Sequence, residues 1–315
     1  MNSGAWRPQP PRRDEGAIPP ERDCDVVLAI ANRRIAITLV PASREFPGHS
    51  DFRAFVAPPG GADARLCLRG ISVEELSPSW QGDARLKGEP WVGRPILGCR
   101  TVERRYSGRG SDEVVVPHVA LVDFFRPSSW DLESLSLCLG EPMRHVPGRI
   151  SCLLGSHLAA TGGLLLHGAG MLIDGAAAAV IGPSGAGKTT AAHLIGADHL
   201  LSDDAIAVTD VNAQPWLHAT PLGRESDGPG RAPLRALFFP KKQAGFALRP
   251  MSKREALLRA AEEQADTFAG VFLPSMRGLA IRNLARLLHK VPAYELGFSL
   301  DGIDREAIRR VLTGS

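Results

Sequence analysis

The chain has 315 residues, 44% hydrophobic and 23% charged, an ordinary globular composition with enough apolar material for about two domains. A net charge of +3 is too small at this length to suggest a nucleic-acid footprint. The five cysteines are scattered without a C-x-x-C pair, which argues against a disulfide framework or zinc site and fits a reducing cytoplasm.

Residues 1–23, dominated by Pro, Arg and Glu, predict a disordered tail rather than a secretory signal. Residues 24–128 predict a smaller, mainly β N-terminal domain. Asp25 to Ile30 and Arg34 to Val40 flank Ala31-Asn32-Arg33 as a hairpin. Phe52 to Ala57, Ala64 to Leu68, Arg100 to Tyr106 and Val114 to Phe125 are further strand candidates, separated by Pro- and Gly-rich turns. Residues 129–148 predict a connector with a short helix. In residues 149–315, Arg149 to Ala160 places Ile150, Leu153, Leu154 and Leu158 on one helical face, and Gly162-Gly163 stops it. Leu164 to His167 and Met171 to Ile173 predict two strands. Asp174-Gly175 predicts a hairpin turn into the apolar run Ala177 to Ile181. The stretch from Leu164 to Ile181 is broken by His167, Asp174 and glycines, so no membrane span is expected.

That run leads into Gly182-Pro-Ser-Gly-Ala-Gly-Lys-Thr-Thr190, which matches the phosphate-binding pattern G-x-x-x-x-G-K-[ST] in its required strand–loop–helix setting. Glycines let the backbone curl so that successive N–H groups point inward, and the following helix adds its positive end. The candidate nucleotide-binding residues are Gly182, Ser184, Gly185, Ala186, Gly187, Lys188, Thr189 and Thr190. Lys188 would reach the β- and γ-phosphates, and the Thr189 hydroxyl would ligate Mg²⁺. ATP and Mg²⁺ are the implied ligands.

A phosphoryl-transfer site also needs carboxylates, one for the metal and one to take a hydroxyl proton. Leu200-Leu201-Ser202-Asp203-Asp204 supplies a pair at the end of an apolar run. Further on, Leu234 to Phe239 reads as a strand ended by Pro240. Ser252 to Glu255 is a capping box for a helix. Met276 to His289 reads as an amphipathic helix with Ile281, Leu284 and Leu288 inward. Tyr294, Leu296 and Phe298 alternate as a strand, and Asp304 caps a last helix.

The order His167-Gly168, hairpin, Gly182 to Thr189, one helix, then Asp203-Asp204 resembles the catalytic domain of HPr kinase/phosphorylase over residues 164–210. The resemblance implies a phosphoenolpyruvate-carboxykinase-like P-loop kinase domain within an α/β chain. It implies Asp203 as the base toward a serine hydroxyl, Asp204 as a Mg²⁺ ligand, and His167 beside the transferred group. A family arginine near the phosphate could correspond to Arg282, with Arg224 and Arg231 of the Gly-rich loop 221–231 as rivals; that loop could also be a substrate lid. The family's glycine-rich signature after the acidic pair has no counterpart here, and residues 24–128 do not look like its N-terminal domain. Both departures point to a kinase-only relative acting on something other than HPr. Such relatives accompany genes for modified peptides, including lasso peptides, and phosphorylate a terminal serine; others act on small hydroxyl compounds. The expectation is a cytoplasmic serine kinase with a peptide or protein partner, no nucleic acid and no membrane, a homo-oligomer staying open. A small-alcohol kinase and a nucleotide-sensing regulatory module are the alternatives.

Overall fold

The computed structural model describes residues 26–40, 50–70, 94–96, 101–107, 110–116, 121–126, 130–136, 146–223, 225–265, 267, 276–300 and 302–314. The expected tail and Arg224 lie outside them. The chain is mixed α/β and divides into two compact units. One comprises Met1–Val27, Ile35–Gly48 and Pro58–Arg149; the other comprises Leu28–Arg34, His49–Ala57 and Ile150–Ser315.

The N-terminal elements are β1 (Val26–Ile30), β2 (Arg33–Val40), α1 (Ser50–Arg53), β3 (Val56–Ala57), β4 (Ala64–Gly70), β5 (Arg94–Ile96), β6 (Thr101–Ser107), β7 (Gly110–Val116), β8 (Leu121–Arg126) and β9 (Asp131–Ser136). Seven of them form a sheet in the order β3-β1-β2-β4-β9-β8-β5, while β6 and β7 pair with each other. The turn between β1 and β2 holds Ala31 and Asn32 at φ 52° and 60°, the left-handed pair that a two-residue hairpin requires. Three readings change. Phe52 lies in the short helix α1, not in a strand. Val114 to Phe125 divides into β7 and β8. Residues 131–136, expected in a connector, form a strand between β4 and β8 with Leu132 fully buried.

The second unit is built on two pairing networks that share two long strands. Its elements are α2 (Val146–Ala160), β10 (Leu164–Ile173), β11 (Ala176–Ile181), α3 (Lys188–Ile195), β12 (His199–Ser202), β13 (Ala205–Thr209), β14 (Trp216–His218), β15 (Arg231–Lys242), β16 (Ala247–Pro250), α4 (Lys253–Glu263), α5 (Arg277–Lys290), β17 (Ala293–Phe298) and α6 (Arg305–Thr313). The two strands expected before the hairpin are one strand, β10. Its first half pairs with β13 and its second half with β11 and β12, with an irregularity at Gly170/Met171. Strand β15 likewise runs through Pro233 and past Pro240, pairing first with β14 and then in parallel with β11 and β17. The Asp174-Gly175 turn stands at φ 49° and 77°, as the hairpin demands.

Both faces of this sheet are covered, which is why β11 reads Ala-Ala-Ala-Ala-Val-Ile without alternation. On one face Met171, Ala178, Val180, Phe238 and Leu296 pack against Ala191, Ala192 and Ile195 of α3 and Ile308 and Leu312 of α6. Burying a side chain such as Phe238 contributes about 2–3 kcal/mol. Helix α5 meets α4 and β10, and its buried Asn283 Nδ2 donates to the carbonyls of Ala159 and Gly163 at 2.9 and 3.0 Å, closing the end of α2. Ala280, Leu284, Leu287 and Leu288 face inward, whereas Ile281 is half exposed, contrary to the periodicity reading. The caps behave as expected: Ser252 accepts from the Glu255 amide and Asp304 from the Ala307 amide. Among the described residues no helix is long and apolar enough to cross a membrane.

Candidate active site

Parallel strands β11, β15 and β17 end at the same edge of the sheet, where open α/β sheets usually hold ligands. The loop 182–187 leaves β11 there and enters α3. Gly185 and Gly187 take φ 76° and 92°, conformations that side chains rarely adopt, so the loop can fold back over the helix start. Gly187 is the N-cap of α3 and supplies no side-chain cap, which leaves the first-turn amides without a side-chain acceptor. Gly182 is buried beneath the loop, where a Cβ would press on Pro240 at 3.1 Å and Ala186 at 3.2 Å. Ser184, Gly185, Gly187, Lys188, Thr189 and Thr190 line a cavity of about 780 Å³; Gly182 and Ala186 shape the loop without facing it.

Opposite the loop the cavity is bounded by His167, Asp203 and Asp204. Asp203 and Asp204 occupy the bend between β12 and β13, the two strands that pair in turn with β10. The same β10 brings His167 alongside, paired with Ala205. Lys188 Nζ lies 2.8 Å from His167 Nε2 and donates to the Pro183 carbonyl at 3.0 Å. His167 Nδ1 lies 2.9 Å from Asp204 Oδ1 and 3.0 Å from the Asp204 carbonyl. A protonated Lys188 must donate to Nε2, so the imidazole proton falls on Nδ1 and points to Asp204. Burial pulls the Lys188 ammonium below the usual lysine range, and the nearby carboxylates of Asp204, Glu263 and Asp203 oppose that pull. Burial also pushes the Glu263 carboxyl up, although Arg259 donates to it at 2.9 Å.

Two further parts hold these groups in place. Gln264, fully buried just beyond α4, accepts from the His167 amide and donates to the His167 carbonyl, both at 2.8 Å. On the other side, Asp203 Oδ1 accepts from the Glu225 amide at 3.0 Å, and the Asp203 amide donates back to the Glu225 carbonyl. Segment 225–227 continues along β12 through Ser226 and Asp227. The loop read as a lid is thus hydrogen-bonded to the acidic strand along these residues.

The remaining wall is made by Lys242 and Gln243 at the end of β15 and by Phe298, Ser299 and Leu300 at the end of β17. Arg282 is not there: it sits on the exposed face of α5, and no cavity-lining residue comes from that helix. Arg282 directly precedes the inward-facing Asn283 and Leu284, and at 3.6 residues per turn that step carries its side chain round to the solvent side. Arg231 is also elsewhere, 5.1 Å over the Trp216 ring and bonded to Asn32 Oδ1. The cavity wall does carry a cation besides Lys188, and it is Lys242 at the end of β15. The signal for it was the basic pair after Pro240, of which Lys241 is taken by Glu295 at 3.2 Å.

The residues fit a polyphosphate and a divalent cation. Glycines at positive φ, uncapped first-turn amides and a buried lysine converge on one cavity, which suits a chain of phosphates. Among the described residues no group of three His, Cys, Asp or Glu side chains forms a metal cage. Mg²⁺ ordinarily uses one or two carboxylates together with substrate phosphates. Thr189 and Asp204, both on the cavity wall, are side chains that would hold it. Comparison with protein families found no family model that matches the chain, and comparison with curated proteins found no match.

Proposed function

We propose that this protein is an ATP- and Mg²⁺-dependent kinase that phosphorylates a serine hydroxyl of a peptide or protein, built on an HPr-kinase-like P-loop domain. The observation that carries this reading is the placement of Asp203 on the wall of the same 780 Å³ cavity as Lys188 and Thr189. A nucleotide sensor needs the phosphate cradle but not an oriented carboxylate facing it.

The chain's own groups then divide the work. Amides of the loop and the start of α3 hold the phosphate chain, and Lys188 neutralises it. Thr189 and Asp204 would hold Mg²⁺, which would supply charge screening for the phosphates. The Glu225 amide fixes one oxygen of Asp203, which orients the carboxylate to accept the proton of an incoming hydroxyl. Asp204 and Gln264 fix the His167 ring and backbone, and His167 sets where the Lys188 ammonium sits. Catalysis of this type is positioning plus charge stabilisation.

A small hydroxyl compound as acceptor is the second reading. It is favoured by a slot of about 140 Å³ behind His167 and Asp204, lined by Ser151, Leu165, Leu166, Ala205, Leu222 and Thr267. The deciding experiment presents labelled ATP to peptides encoded beside the gene and to small alcohols, with Asp203→Asn in parallel. The expected result is label in a peptide serine, lost in Asp203→Asn, with ATP affinity retained. Wild-type transfer rates in Asp203→Asn would refute the assignment of the base, and label appearing only as free phosphate would refute the kinase reading.

A further inference from the structure

The cavity has two chemically different ends, and the phosphate loop lies between them. On one side, along β10 and β12, stand His167, Asp203 and Asp204. On the other, along β15 and β17, stand Lys242, Gln243, Phe298 and Leu300. Among the described residues this second wall carries no carboxylate. Lys242 makes no hydrogen bond or ion pair with any described residue, and neither does the side-chain amide of Gln243.

The Gln243 amide is nevertheless held. Its backbone N–H donates to the Phe298 carbonyl at 3.1 Å, and its side chain lies flat over Gly297 of β17. A Cβ at Gly297 would collide with that amide, although the glycine is not at positive φ. The Gln243 amide thus fills the space beside Gly297, and a side chain there would have to displace it. Phe298 lies beside the C-terminal end of the loop, 3.3 Å from where a Gly187 Cβ would stand, and Leu300 is 82% exposed at the rim.

We infer that this wall is the nucleoside subsite: the base of the bound nucleotide lies between Leu300 and Phe298 with its edge on the Gln243 amide, and the terminal phosphate points the other way, toward His167 and Asp203. The inference rests on the proposed nucleotide site and gives it a direction. A primary amide offers one acceptor and two donors in a plane, the pattern that reads the edge of a base. An exposed leucine beside a buried phenylalanine supplies an apolar face for the ring. The opposite end cannot take the base, because a neutral ring there would leave Asp203 and Asp204 facing it while the phosphates lay away from Lys188. Acceptor and nucleoside thus enter from opposite sides of the loop.

The test compares binding of ATP and of inorganic tripolyphosphate, each with Mg²⁺, by calorimetry. Wild type is expected to bind ATP at least tenfold more tightly than tripolyphosphate. Gln243→Ala is expected to lose roughly fivefold to tenfold in ATP affinity, the worth of one or two hydrogen bonds, with tripolyphosphate binding unchanged. Gly297→Ala, which displaces the amide without removing it, is expected to move ATP affinity in the same direction. Unchanged ATP affinity in both variants overturns the subsite, as does an equal loss for tripolyphosphate. Wild type binding tripolyphosphate as tightly as ATP also overturns it while leaving the phosphate cradle standing. Wild type binding neither ligand refutes the nucleotide site itself.

Discussion

Gly223 offers a way to move the proposed base without changing its charge. A Cβ built at Gly223 falls within collision distance of Asp203 Oδ1 and 2.8 Å from Ser202 Oγ. Its backbone is not at positive φ, so Gly223→Ala introduces a steric demand and little backbone strain. Ordinary contact begins at 3.4 Å. Both contacts must be relieved; buried Ser202 holds its place, so the residue-223 backbone and the Asp203 carboxylate move apart, the carboxylate by up to about 1 Å. A misplacement of that size costs about 100-fold in a positioned reaction, which is roughly 2.7 kcal/mol of barrier.

The assay is single-turnover transfer of labelled phosphate from ATP to whichever acceptor the wild type uses, beside calorimetric ATP affinity and a thermal melt. Gly223→Ala should be folded, bind ATP within about twofold of wild type, and transfer about 100-fold more slowly. Lys188 and the loop amides are on other elements and should be untouched. A folded Gly223→Ala protein that transfers phosphate at the wild-type rate would refute the claim that Asp203 acts from its observed position. A loss of ATP affinity that matches the loss of rate would show instead that Asp203 supports the nucleotide.

Two predictions concern stability. His218 is buried beside Thr209 Oγ1 at 2.9 Å, and burial, with Arg231 nearby, pulls its pKa down to about 4. Because the unfolded chain takes up this proton near pH 6.5 and the folded chain resists until about pH 4, stability is full above pH 6.5 and falls as pH drops through that window. The loss should be about 2 kcal/mol by pH 5, read from urea midpoints at pH 7.5 and 5, and His218→Gln should flatten that slope. An unaltered slope in His218→Gln would assign the acid sensitivity elsewhere. Asn283→Ala strips the donor from two carbonyls at the end of α2 and should cost about 2 kcal/mol, several degrees in melting temperature, with ATP affinity unchanged. A melt identical to wild type would show that those carbonyls find water instead.

The features legible in the sequence were those whose cause is local. The strand–loop–helix turn at 182–187, the Asp174-Gly175 turn, and the Ser252 and Asp304 caps each follow from a few neighbouring residues and their allowed backbone angles. The acidic pair was legible for a related reason, since a bend that ends an apolar strand places its carboxylates at a sheet edge. Helix faces were read less well: Ile281 was assigned inward one position from the residues that are. The merged strand β10 was missed because Gly168 and Gly170 read as breaks. In the sheet their missing side chains make room instead, for the Val180 carbonyl at 2.8 Å from a Gly168 Cβ and for Ile206 at 2.9 Å from a Gly170 Cβ.

The parts that position the site depend on pairing across long stretches of chain, and no local pattern announces them. Gln264 reaches back 97 residues to grip His167 by both backbone groups. Glu225 holds Asp203 only because segment 225–227 runs along β12. Lys242 enters the cavity because β15 passes Pro240 without stopping, and it can pass because its pairing with β17 continues through Lys242 opposite Phe298. Proline lacks the amide but keeps the carbonyl, so it removes one donor and leaves the pairing on either side intact, with Pro240 opposite Leu296 and Lys241 opposite Gly297; its carbonyl also accepts from Arg259 at 2.9 Å. The lysine on the cavity wall thus comes from a strand end, two residues past the point where local rules closed the strand.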